Sequence, residues 1–161
     1  MNNTIHSSDD FEGMRKAGNL AASTLDLLVE KVKPGVSTEE LDNIAFDYIV
    51  RHGGLIAPLF YKGYPKSICT SINHVICHGI PSSRILENGD IVNIDVTVIV
   101  DGWHGDTSRM FPVGKINAKA QKLIDCTFQA MHEGINAAQP DATLGDIGNA
   151  IQTYAEKQNY S

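Results

Sequence analysis

The chain has 161 residues, a net charge of −6, 42% hydrophobic and 20% charged residues, which suits one globular domain or part of one. Its acidic balance, with no basic stripe, argues against nucleic acid or an anionic membrane as the main partner. The opening MNNTIHSSDDFEG lacks the basic and apolar regions of a secretory leader, no apolar run reaches membrane-spanning length, and three cysteines without a CxxC pair suit free thiols in a reducing cytoplasm.

In chain order, Asp9 with Glu12 three residues on reads as a capping box opening a helix. Its apolar positions run from Phe11 through Leu25 and Leu28 to Val32, and Pro34-Gly35 ends it. Ser37 caps a second helix, with Glu40 reaching back, a stripe of Leu41, Ile44, Ala45, Tyr48 and Ile49, and a stop at Gly53-Gly54. Leu55–Phe60 is expected as a short strand and Tyr61–Lys66 as a loop. Ser67–Ile72 and Val75–Cys77 read as strands joined at Asn73-His74, followed by a connecting loop over Pro81–Asn88. Ala118–Ala138 is a long helix ending near Pro140, and Thr143 caps a last helix running toward Gln158. Pro34 and Pro140, Ser37 and Thr143, Leu41 and Ile147, and Tyr48 and Tyr154 recur at one offset. That is either an internal repeat or the ordinary likeness of two capped helices.

The chemical signal lies between Asn88 and Phe111. Asp101-Gly102 is a two-residue turn between two extended runs, since a type I′ turn needs positive φ at both central residues. The turn sets the register: Val100 faces Trp103, Ile99 faces His104, Val98 faces Gly105, Thr97 faces Asp106 and Asp95 faces Ser108. One side then carries Ile94, Val96, Val98, Val100, Trp103 and Phe111 as a core face. The other carries Asp95, Thr97, Ile99, His104, Asp106 and Ser108. Asp95 and Asp106 are diagonal neighbours, with backbones about 7–8 Å apart. Two carboxylates leaning to one point repel, and a pair of divalent ions roughly 3.5–4 Å apart resolves that. The plainer reading is a solvated strand face carrying two unrelated acids, although IVNIDVTVIV is very hydrophobic for an exposed edge. His104 shares the acidic face but points toward the turn. His6, His52, His74 and His132 read as surface residues. From the pattern alone, His78 is a strand-end histidine satisfied by backbone, and Tyr61 and Tyr64 are loop packing.

KPGVST at Lys33–Thr38, GYPKS at Gly63–Ser67, CHGIP at Cys77–Pro81 and NGDIVNIDVTVIVDGWHGDTSRMF resemble the bacterial type I methionine aminopeptidases over nearly the whole chain. The resemblance implies an α+β pita-bread (creatinase/aminopeptidase-like) fold, an antiparallel sheet flanked by helices. The first half would span about 1–114 and the opening helices of the second half about 115–161. It implies a cytoplasmic hydrolase removing the N-terminal methionine of peptides or nascent proteins with two divalent metal ions (Co, Mn, Fe or Zn). Asp95 would bind one ion and Asp106 bridge both, with Thr97 as a supporting hydroxyl beside Asp95. His78 would contact the substrate as the catalytic imidazole, and Tyr61, Tyr64 and Cys69 would line the methionine pocket. Lys62 stands where a histidine is expected. The family's further ligands, one His and two Glu, have no counterpart in this sequence. The expectation is therefore a truncated chain, inactive alone. The alternative is a non-catalytic remnant of the fold that binds the ribosome or a nascent peptide.

Overall fold

A computed structural model of the chain describes residues 5–160. Met1–Thr4, where the opening MNNTIHSSDDFEG begins, and Ser161 lie outside the described residues. The chain divides into two compact units, Met1–Ile116 and Asn117–Ser161.

In the first unit, helix α1 spans Ser8–Leu28. Its cap is Ser7 rather than Asp9. The Asp10 carboxylate accepts the Ser7 N–H at 2.7 Å and Ser7 Oγ accepts the Asp10 N–H at 3.4 Å. This box starts the helix earlier and places Asp9 and Asp10 in the first turn, where the helix dipole favours negative charge. The helix ends at Leu28, and Val32 is reached through a turn. Helix α2, Thr38–Arg51, is capped by Ser37, whose Oγ accepts the Glu40 N–H at 3.1 Å.

Strand β1 is only Leu55–Ile56. Pro58 has no ladder donor, and Phe60 turns into the left-handed region at φ 66°, so the strand cannot reach Phe60 as expected. Strand β2 is Cys69–Ile72 and starts late, because the Ser67 and Ile68 N–H groups are taken by the Asp42 side chain. Val75–Cys77 is not a strand. Asn73, at φ 53°, turns the chain away, and Gly79 already occupies the outer side of β2 through the Thr70 N–H.

Strands β3, Ile91–Val100, and β4, Trp103–Pro112, form the expected hairpin. Asp101 and Gly102 both have positive φ, 51° and 84°, and the register is the one read from the turn, Thr97 opposite Asp106 and Asp95 opposite Ser108. β4 runs along the whole of one edge of β3, so β1 and β2 share the other edge, all antiparallel. Ile94, Val96 and Val98 are fully buried on the core face, each contributing about 1.5–3 kcal/mol. Helix α1 packs on that face so closely that a Cβ at Gly105 would strike the Ala17 backbone.

The second unit is a helix pair. α3, Ala118–Ala137, is capped by Asn117, and α4, Leu144–Lys157, by a Thr143–Asp146 box. A long helix followed by a capped helix of 14 residues occurs in both units, 21 then 14 and 20 then 14 residues. Among the described residues no helix is long and apolar enough to cross a membrane.

Candidate functional site

The outward face of the hairpin forms the floor of an open cleft of ≈ 850 Å³ in the first unit. Alternation along β3 and β4 puts Asp95, Thr97, His104 and Asp106 on this floor, behind the fully buried Ile94, Val96 and Val98. Cys69 pairs with Asp95 across β2 and β3, so its thiol shares the same face. Tyr61 and Tyr64 enter from the loop after β1, and His78 from the loop after β2. All seven residues singled out from the sequence, Tyr61, Tyr64, Cys69, His78, Asp95, Thr97 and Asp106, therefore line one cleft.

The electrostatics centre on the acid pair. Burial is the largest influence on Asp95, and with the charge and hydrogen bonding of Asp106 it holds the Asp95 carboxyl above the usual carboxylate range; His78 opposes this weakly. Among the described residues no lysine or arginine is paired with either acid. Two hard oxygen donors pressed together without a countercharge fit a hard divalent cation. They fit it as part of a ligand set, since no group of three or more His, Cys, Asp or Glu suited to a metal occurs among the described residues. Thr97 lies beside Asp106 in the pairing, and its hydroxyl bonds neither acid among the described residues.

Cys69 presents a neutral thiol to the cleft. Burial pushes its thiol up; the hydrogen bond from Tyr64 opposes this, while the charges of Asp95, Cys77 and Asp106 reinforce it, so it stays protonated at neutral pH. Burial also pushes the Tyr64 phenol well above its ordinary range, with Cys69 adding to the effect. The Tyr64 hydroxyl lies 3.0 Å from the Ile68 carbonyl and 3.1 Å from the Gly79 carbonyl, so its one proton is shared between two segments of the cleft wall. His78 is exposed, and its ring has no hydrogen-bond partner among the described residues, so it is not the backbone-satisfied histidine of the plainer reading. Its φ of 55° is left-handed, a conformation costing about 1–2 kcal/mol for an L-residue. Lys62, at φ 48°, stands at the cleft with its Nζ 5.4 Å from the Tyr61 ring centroid.

One contributor was missed. Asp42 of α2 is buried, and its Oδ1 accepts the Ser67 N–H at 2.8 Å and the Ile68 N–H at 3.0 Å, fixing the entry to β2. Burial raises its carboxyl above the usual range despite those two bonds. The signal was present: Asp42 lies four residues after Thr38 and three before Ala45, within the buried stripe of α2.

A second concavity, of ≈ 570 Å³, lies within the second unit between α3 and α4. Its lining is apolar, with Leu123, Met131 and Ile147 typical, and it carries none of the carboxylates or imidazoles of the cleft.

The model of metallopeptidase family M24 matches residues 12–161. The methionine aminopeptidase of Rickettsia prowazekii (strain Madrid E) is 59% identical over 157 residues, covering 98% of this chain and 61% of that protein. The methionine aminopeptidase of Escherichia coli (strain K12) is 49% identical over 160 residues, covering 98% and 61%. A crystal structure of the Rickettsia prowazekii enzyme superposes with a TM-score of 0.97, at 59% identity, over 98% of this chain and 64% of that one. The chain thus spans about three fifths of the length of the curated relatives it matches, and it has the expected α+β pita-bread fold, an antiparallel sheet flanked by helices.

Proposed function

The chain belongs to metallopeptidase family M24, and from that premise we propose that it carries the methionine pocket and part of the metal centre of a methionine aminopeptidase, acting on the N-terminal methionine of peptides or nascent proteins. The observation that carries this is the single cleft joining an unpaired acid couple, an exposed imidazole and a protonated thiol beside two tyrosines. Relatives named for the peptidase activity at 49–59% identity weigh against the non-catalytic binding module.

Asp95 and Asp106 would hold two divalent ions jointly with ligands beyond this pair. When bound, such ions supply Lewis acidity toward a peptide carbonyl and toward water. His78, exposed at the cleft, donates a ring N–H to the scissile amide and steadies the tetrahedral species formed from it. Tyr61, Tyr64 and Cys69 shape one wall of the cleft, against which an unbranched thioether chain packs. Cys69 serves as a neutral part of that wall.

The test is calorimetric. Mn²⁺ binding to the chain should weaken at least tenfold in Asp106→Asn and less in His104→Ala. In the presence of Mn²⁺, free methionine should bind more tightly than valine. Equal binding of the two amino acids would refute the pocket, and a larger effect at His104 would refute the ligand pair. With no group of three or more metal-binding side chains among the described residues, the chain alone should release methionine from a Met-Ala-Ser peptide far more slowly than a full-length relative. Comparable turnover, abolished by Asp106→Asn, would show that the site is completed by another route.

A further inference from the structure

His78 adopts a left-handed backbone, φ 55°, yet its own side chain has no bond among the described residues that would keep it there. The restraint lies on the next residue. The Gly79 N–H donates to Ser71 Oγ at 3.1 Å. Its carbonyl accepts the Thr70 N–H at 2.8 Å and the Tyr64 hydroxyl at 3.1 Å. A Cβ at position 79 would strike the Thr70 carbonyl, so only glycine can come this close to β2. Both polar backbone groups of Gly79 are therefore tied to β2 or to the tyrosine that spans to Ile68.

We propose that Ser71 and Tyr64 are positioning residues for His78. Their hydroxyls fasten Gly79 to β2 and so set where the imidazole stands in the cleft relative to the acid pair. The path is short. Asp95 pairs with Cys69, the adjacent Thr70 bonds Gly79, and Gly79 is bonded covalently to His78. Ser71 is itself 4% exposed and pairs with Asn93 of β3, so its hydroxyl is a fixed anchor for a loop that is otherwise largely exposed. Loss of the anchor leaves the Gly79 N–H within reach of water. The consequence therefore falls on the geometry of His78 more than on the sheet. The functional meaning of the clamp rests on the reading of the cleft as a peptidase site; its existence does not.

The test is nuclear magnetic resonance on the labelled chain. It follows the three-bond HN–Hα coupling of His78, which reports φ, and the hydrogen exchange of the Gly79 amide. Ser71→Ala should speed Gly79 exchange at least tenfold and shift the His78 coupling, while amides of Ile91–Val100 keep their protection. Ser71→Thr, which retains the hydroxyl, should stay close to the unaltered chain. Tyr64→Phe should move the His78 coupling independently, which keeps the test alive should Ser71→Ala not fold. The proposal is overturned if both variants fold with His78 coupling and Gly79 exchange unchanged, if β3 loosens as much as Gly79, or if both variants fail to fold. Should the unaltered chain bind no methionine, the peptidase reading fails while the clamp is still decided by the coupling.

Discussion

Removing the Asp42 carboxylate should damage this protein far more than neutralising it. Both Ser67 and Ile68 donate to the same oxygen, Oδ1, and these residues are 3% and 0% exposed. Asp42→Ala strands two buried N–H groups, each costing about 1–3 kcal/mol, or roughly 2–6 kcal/mol together. That is a large share of a typical stability of about 5–15 kcal/mol. Asp42→Asn keeps an oxygen where Oδ1 stands. It weakens two charge-assisted bonds but removes a buried charge, the factor that raises the carboxyl in the first place, so the net change should stay within about 1 kcal/mol. The assay is urea denaturation of both variants at pH 7, read from the midpoints at a common slope. At roughly 2–4 °C per kcal/mol for a chain of this size, Asp42→Ala should also melt about 4 °C or more below the unaltered chain. Because β2 carries Cys69 opposite Asp95, methionine affinity should fall in the alanine variant alone. Equal loss of stability in the two variants would refute the reasoning, because it would make the charge, and not the acceptor, the element that matters.

The acid pair should show opposite signs with and without metal. The Asp95 carboxyl is raised in the folded state, so its charged form carries a penalty that is present above the folded value and vanishes as pH falls through it. Asp95→Asn should therefore stabilise the metal-free chain at pH 7 by about 1 kcal/mol, given the screening at an open cleft, and lose that advantage in Mn²⁺; a lower urea midpoint in both conditions would refute this. Asp90 behaves in the reverse sense. Burial pulls its carboxyl up, but the Glu87 N–H, Asn73 and Arg84 outweigh it and leave the group lowered. Its contribution is present above the unfolded value and lost as pH falls through the folded one, so Asp90→Asn should differ from the unaltered chain at pH 7 and converge with it well below pH 4. A difference independent of pH would place the effect elsewhere.

The hairpin was legible because a two-residue turn leaves only one register open, and every pair from Val100–Trp103 to Asp95–Ser108 follows from it. The same logic placed Asp95 and Asp106 together. Val75–Cys77 was misread because an apolar, β-branched run looks like a strand wherever it lies. Whether an edge is available to receive it depends on Gly79 and Thr70, which local pattern does not reveal. The α1 cap is misplaced from sequence because Ser7–Asp10 and Asp9–Glu12 both satisfy the box spacing, and local pattern does not rank them. Asp42 was passed over because an acid on a helix reads as solvent-facing; its place in the buried stripe only acquires meaning from Ser67 and Ile68, far along the chain. The left-handed backbone at His78 follows from contacts of its neighbour, which no composition of the loop announces.

The pairing of β3 with β4 also gives this part of the gene a reading frame of its own, counted in residues. An extra residue inserted in the turn at Asp101-Gly102 can be absorbed by a wider loop, with all ten pairs intact. The same residue inserted between Asp95 and Val100 turns Asp95 toward α1 and Ile94 toward the cleft, and inserted between Trp103 and Asp106 it turns Asp106 toward α1 and Thr107 toward the cleft. Variation in length should therefore be tolerated at the tip and nowhere along the arms. The one escape is a bulge, which would take up the extra residue where the sheet passes Gly105 and Ala17, the place with least room for it.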